Sequence, residues 1–224
     1  MKNKQTIFKT VLLFAFTLSL FSCNKDVVEP TPQQGDYATF TDARDGKIYK
    51  TIKIGNQEWM AENLVFKTAT SSWTYWGFEE NGVKYGRLYT WEAAKLAVPA
   101  GWHLPSDAEW KQLEMALGMS QAEADGIDYR GTDEGNKLKA KIGWAENGSG
   151  TDYIGASALP GGFRSNSGSF LAIGYYGYWW SSTENNSSKA WIRLIVASSP
   201  KIFRIDSFKE DAFSVRCVKD SQTN

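Results

Sequence analysis

Gly101-Trp102-His103-Leu104-Pro105-Ser106-Asp107-Ala108-Glu109-Trp110 marks the start of a helix, and the rest of the chain is read outward from it. Ser106 and Glu109 have the spacing of a capping box, in which each side chain satisfies an orphan backbone N–H of the other. Trp110, Leu113 and Leu117 then share one helical face, and Gly118 ends the helix. Ser120 and Glu123 repeat the capping pattern for a further helical turn. Upstream, Leu88 to Ala97 reads as a short helix stopped by Pro99; downstream, Thr132 to Ile142 reads as another.

Strands flank these helices. Asp45-Gly46 is a turn, and Lys47 to Ile54 is a strand with Ile48, Ile52 and Ile54 on one face. Gly55-Asn56 has the form of a two-residue hairpin turn, with Gln57 to Met60 returning. Asn63 to Gly86 lacks a clear period and reads as loop. Asn147 to Gly150 is a turn. From Leu159 onward glycine turns separate short strands, at Ala190 to Leu194, Lys201 to Ile205 and Phe213 to Val218. In the last, Phe213, Val215 and Cys217 face one way and Ser214, Arg216 and Val218 the other. Helices between an N-terminal hairpin and C-terminal antiparallel strands predict a loop-rich α+β domain, with the two chain ends pairing in one sheet.

The first residues read as a targeting leader. Lys2, Lys4 and Lys9 precede a short apolar run, Val11 to Leu20, too short for a membrane span. Leu20-Phe21-Ser22-Cys23 resembles a lipobox, which implies cleavage before Cys23 and acylation of its thiol. Asn24 to Gly35 holds two prolines and little to bury, so it reads as a solvated tether. Lys25-Asp26 resembles the surface-export signal of Bacteroidetes lipoproteins. The expected organisation is a leader over 1–22, a tether over 23–36, one domain over 37–220 and a tail over 221–224. The expected location is the cell envelope, lipid-anchored to the outer membrane and facing outward.

Composition narrows the chemistry. The net charge is +0, which favours neither nucleic acid nor anionic lipid as a partner. Of 2 Cys, one is assigned to lipid, leaving Cys217 without a disulfide partner. A single His and no Cys cluster give no basis for a transition-metal site, and no cofactor is expected. The 10 Trp and 20 Gly suggest indoles filling irregular gaps in a loop-rich fold.

Six blocks carry a family resemblance. They are Gln57-Glu58-Trp59-Met60-Ala61-Glu62-Asn63-Leu64, Tyr85-Gly86-Arg87-Leu88-Tyr89-Thr90-Trp91-Glu92-Ala93-Ala94, and the Gly101 to Trp110 stretch above. Leu159-Pro160-Gly161-Gly162-Phe163-Arg164, Tyr178-Trp179-Trp180-Ser181-Ser182-Thr183-Glu184 and Phe213-Ser214-Val215-Arg216-Cys217-Val218 follow in order. Together they resemble the Fibrobacter succinogenes major paralogous domain over roughly residues 40 to 220. The resemblance implies a C-type-lectin-like fold related to the formylglycine-generating-enzyme branch, on surface lipoproteins. A shared fold does not carry function.

The oxidases of that branch use a cysteine pair, and only Cys217 is available, among apolar neighbours. His103 has no second His, which leaves it a packing or hydrogen-bonding role. The calcium-lectin motifs are missing. Asp125, Asp128, Asp133 and Glu134 supply oxygens for structural calcium, but their spacing fits no EF-hand loop. Glu109 and Glu114 are carboxylates that nothing in the sequence places in one cleft. Tyr175, Tyr176 and Tyr178 sit around Gly174 and Gly177 as loop-surface aromatics, while Trp179 and Trp180 read as core. Arg164, Asn166, Tyr175, Tyr176, Tyr178, Glu184, Asn185, Asn186 and Arg193 are the candidate ligand-binding face. Trp73, Tyr75 and Trp76 form a second aromatic patch. The resulting expectation is a non-catalytic binding module for glycan or protein. A subunit of a surface fibre and an uncharacterised envelope enzyme are the alternatives.

Overall fold

The computed structural model describes residues 36–221. The expected leader, Cys23, the expected tether up to residue 35 and residues 222–224 lie outside the described residues.

The domain opens with β1 (Ala38–Thr41), β2 (Ile48–Ile54), β3 (Gln57–Met60) and β4 (Ser72–Trp73). Then come α1 (Glu79–Tyr85), β5 (Leu88–Tyr89), α2 (Trp91–Ala97), β6 (Trp102–His103), α3 (Asp107–Ala116) and α4 (Gln121–Asp125). After β7 (Asp128–Arg130) and α5 (Glu134–Leu138), the rest is strand and loop. The strands are β8 (Phe163–Arg164), β9 (Phe170–Leu171), β10 (Tyr176–Glu184), β11 (Lys189–Val196), β12 (Ile202–Phe208) and β13 (Val218–Lys219). It is an α+β fold whose strand ladders are antiparallel. One sheet runs β1-β2-β3-β13-β6, so the N-terminal hairpin and the C-terminal strand do pair; a second runs β10-β11-β12-β7.

Both capping boxes form. Ser106 Oγ accepts from Glu109 N at 3.2 Å while Glu109 Oε2 accepts from Ser106 N at 2.7 Å. Ser120 and Glu123 repeat the exchange at 3.3 and 2.9 Å. Trp110, Leu113 and Leu117 are buried together, and Gly118 follows with φ 118°. The Gly55-Asn56 turn joins Ile54 to Gln57, and Gly55 alone takes the left-handed φ, 59°.

The core divides into two main clusters, and adjacent residues go to opposite ones. Trp59 and Met60, Trp179 and Trp180, and Val218 and Cys217 are split in this way, as strand alternation requires. Phe213, Val215 and Cys217 share one cluster as their alternation predicts. Of the strand expected over Phe213 to Val218, however, only Val218 lies in a strand, β13, while Phe213 and Ser214 make isolated bridges to Tyr89 and Trp179. Buried indoles find partners for their N–H groups: Trp179 donates to Asn63 Oδ1 at 2.9 Å, Trp180 to Tyr89 O at 2.7 Å and Trp144 to Ala158 O at 3.0 Å.

Several local expectations are corrected. The 63–86 stretch is not all loop; it contains β4 and α1. Gly82 is inside the helix, and an added Cβ would strike the methyl of Thr74. The helix expected from Leu88 begins at Trp91, because Leu88 and Tyr89 pair with β4 and Thr90 caps the helix. The helix expected over 132–142 is only α5. In β2, Ile48 is exposed and Tyr49 is buried, because the first half of the strand packs on one cluster and the second half on the other. The tyrosine-rich loop is mostly strand: Tyr176 starts the nine-residue β10.

Candidate binding face

The two aromatic patches of the sequence meet one hairpin. The segment after β4 holds Tyr75 and Trp76, and the β8–β9 hairpin folds onto it. Gly162, with φ 64°, lets this happen: a Cβ there would stand 2.9 Å from Tyr75 Cε2. Tyr75 is buried, its ring 5.3 Å from Phe170 and 5.7 Å from Trp76. Arg164 of β8 lays its guanidinium 4.1 Å from the Trp73 ring centroid and 5.9 Å from that of Phe170. A charge on the face of an indole is held by the ring quadrupole. Gly168 in the hairpin turn leaves room for it, since a Cβ would come 3.2 Å from Arg164 Nη2.

Trp76 stands out on this surface. Its backbone takes φ 55°, ψ 17°, and its side chain is 64% exposed. A bulky residue in the left-handed region is an outlier that its surroundings must hold in place. Gly77 N–H, donating to Thr74 O at 2.9 Å, closes the turn around it. Of the ten tryptophans, seven are buried, Trp73 and Trp191 are half-buried, and Trp76 is exposed. Tyr175 and Tyr176 follow the hairpin, 46% and 39% exposed, and both donate backbone N–H to Ala172 O.

The remaining candidates scatter. Tyr178 is half-buried, stacked on Phe213 at 5.0 Å and 14° and 5.0 Å from Phe163; burial pushes its hydroxyl pKa up. Glu184, Asn185 and Asn186 lie at the far end of β10 from Tyr176, roughly 25 Å along the strand at ~3.3 Å per residue. There Glu184 pairs with Lys209 at 2.8 Å, and Asn185 donates to Asp206 Oδ2 at 2.6 Å. Asn186 Oδ1 accepts from Ser188 and Lys189 N–H, each at 3.0 Å. Asn166 is exposed, its backbone N–H donating to Asp211 Oδ1 at 2.9 Å.

Arg193 corrects the expectation outright: it is 1% exposed. Its Nη1 donates to Asp107 Oδ1 at 2.8 Å, and its Nε pairs with Glu114. Arg130 joins Glu114 through two hydrogen bonds, at 2.7 and 2.8 Å, and Arg204 holds Asp107 at 2.9 Å. Two carboxylates of α3 are thus clamped by three guanidiniums from β7, β11 and β12. The cluster ties helix to sheet. Burial alone would raise the Asp107 pKa, but Arg204 and Arg193 outweigh it and hold the carboxyl at about 2.

Polar groups elsewhere are also taken up. His103 lies between Glu109, 2.7 Å from Nε2, and Asp220, 2.8 Å from Nδ1. Asp125 accepts from Lys111 and Gln121, Asp133 pairs with Lys137, and Glu134 accepts from the backbone of Thr132 and Asp133. Among the described residues no group of three or more His, Cys, Asp or Glu is arranged to hold a metal ion. Cys217 is buried, and burial pushes its thiol pKa up.

Sequence reasoning found Trp73, Trp76 and Arg164 but put them in separate patches. No periodicity signals that residues about ninety positions apart in sequence share one surface.

No curated protein and no solved structure matches the chain. Residues 52–219 match the family model of the Fibrobacter succinogenes major domain, from β2 to β13, and the chain belongs to that family.

Proposed function

We propose that this chain is a lipid-anchored binding module of the cell envelope, attached to the outer membrane through an acylated Cys23 and displayed outward. Its ligand is a glycan or protein, and the aromatic face suits a neutral saccharide best. The observation that carries this reading is Trp76, an indole exposed to water in a strained backbone, on the same segment as Trp73, which carries the Arg164 guanidinium. A flat apolar ring takes the C–H face of a sugar, and a neighbouring guanidinium donates to hydroxyls.

A C-type-lectin-like scaffold is implied by the motif resemblance and suits the antiparallel, loop-rich architecture. The module is read as non-catalytic and cofactor-free; the engagement of Asp107 and Glu114 in ion pairs with arginines supports that. Assembly through strand addition is less favoured. The outer edge of β10 is covered, with Tyr176 O accepting from Gly162, Tyr178 O from Ser214, and Ser182 donating to Pro105 O.

The test is isothermal titration of the purified full chain with neutral hexasaccharides (cello-, xylo- and manno-linked), repeated with Trp76→Ala and Arg164→Ala. One saccharide class is expected to bind, with affinity reduced at least about tenfold in each variant at unchanged melting temperature. Equal binding by the variants, or no saccharide binding beside capture of a protein ligand, removes the sugar reading. Intact mass of membrane-extracted protein checks the anchor: diacyl or triacyl mass on Cys23 is expected, and its absence contradicts it.

A further inference from the structure

A basic pocket of about 210 Å³ opens beside β2, between α1 and the 155–159 segment. Its wall contains Arg216, whose residue is 5% exposed. Arg216 donates through Nη1 to Ala156 O and through Nη2 to Asn63 Oδ1 at 3.3 Å. An arginine has five N–H donors; among the described residues the other three find no partner, and one of them, Nε, is buried. Among the described residues no carboxylate forms an ion pair with it. The two carboxylates that act on it from a distance are Asp152 and Glu62. Asp152 is engaged by Ser157, at 2.6 Å to N and 2.7 Å to Oγ, and Glu62 by Lys50 N at 2.7 Å. Burial lowers the Arg216 pKa to about 10, so the group stays cationic at neutral pH.

Lysines surround this buried cation. Lys47, Lys50 and Lys84 line the same pocket, and none has a carboxylate partner among the described residues. Each ammonium instead lies over a tyrosine ring: Lys47 over Tyr49 at 5.7 Å, Lys50 over Tyr37 at 5.4 Å and Lys84 over Tyr85 at 4.8 Å. Four cations against the single lining carboxylate of Glu62 are concentrated in a chain of net charge +0. A buried unpaired charge is costly unless something compensates it, and the compensating partner that fits is an anion. The guanidinium fork matches a planar carboxylate. The volume falls below the ~300–1,000 Å³ of drug-sized sites, which suits one small residue.

We propose that this pocket binds the carboxylate of an acidic sugar, a single uronic acid unit, with Arg216 receiving the carboxylate and Lys50 and Lys84 at the mouth. It is a second site, independent of the Trp76 face. The test is isothermal titration of the full chain with galacturonate and glucuronate, with galactose, acetyl-dialanine and inorganic phosphate as comparisons. The uronates are expected to bind and galactose to fail. The double variant Lys50→Ala/Lys84→Ala, at exposed positions, is expected to weaken binding about tenfold and flatten its salt dependence. Arg216→Gln is expected to abolish it; should that variant not fold, the lysine variant alone decides. Trp76→Ala is expected to leave uronate binding intact, which separates this proposal from the aromatic-face reading. Uronate binding that is absent, matched by the dipeptide or phosphate, or unchanged in the lysine variant overturns it.

Discussion

Glu114 has no exposure to water and two arginines against it. Replacing it by Gln removes the carboxylate that pairs with Arg130 and one of the two that pair with Arg193, which costs about 3–5 kcal/mol on the scale of broken buried pairs. Urea unfolding of Glu114→Gln reads that loss; a change below about 1 kcal/mol would mean that water reaches the cluster. Asp107 adds a pH dependence. Its folded pKa, at about 2, lies below the unfolded value of 3.8, so its contribution is present above about pH 4 and is lost as pH falls toward 2. His103 acts in the opposite direction. Burial lowers its pKa, but the hydrogen bonds to Glu109 and Asp220 dominate and the net shift is upward. Its contribution is therefore full below the unfolded pKa of 6.5 and lost as pH rises through the folded value. Melting temperature should fall across that rise in the parent protein and stay flatter in His103→Gln. Identical profiles would remove the His103 assignment. None of the Arg193 contacts was legible in the sequence, since its two carboxylate partners are 79 and 86 positions away. A charged residue in an alternating strand reads as surface, and only the tertiary fold brings α3 against it.

At the scale of elements, local physics was legible and packing was not. Both capping boxes are satisfied within four residues, so their pattern was sufficient to locate α3 and α4. The alternation of Phe213, Val215 and Cys217 likewise predicted their shared cluster. α1 was hidden because Asn81-Gly82 carries turn chemistry, while Thr74 crowds against Gly82 and Asn81 donates to Tyr75 O at 3.0 Å. β10 was hidden by Gly177 among tyrosines. That glycine is there for space: an added Cβ would run into the Trp179 indole and stand 2.9 Å from Leu159 O. Gly177→Ala is accordingly expected to destabilise by about 1–3 kcal/mol, the usual cost of overpacking a full core. Thermal unfolding with a neutral result would show that β10 can shift away from the 159–162 segment.

For the whole molecule, two separate surfaces are offered to ligands, and each is built from distant parts of the chain. The aromatic face joins the 72–78 segment to the β8–β9 hairpin; the basic pocket joins β2 and α1 to Arg216 near the C-terminus. The first was visible as two separate patches. The second was not legible, because Arg216, in the strand expected over Phe213 to Val218, signals alternation and nothing about a cavity. The exposed indole of Trp76 is proposed as the contact surface for ligand. Acrylamide quenching of tryptophan fluorescence, with and without the saccharide that binds in titration, tests it most directly. Bound ligand should shield the readily quenched fraction in the parent protein, and Trp76→Phe should lack that fraction. Saturating ligand that leaves quenching of the parent unchanged would contradict the account.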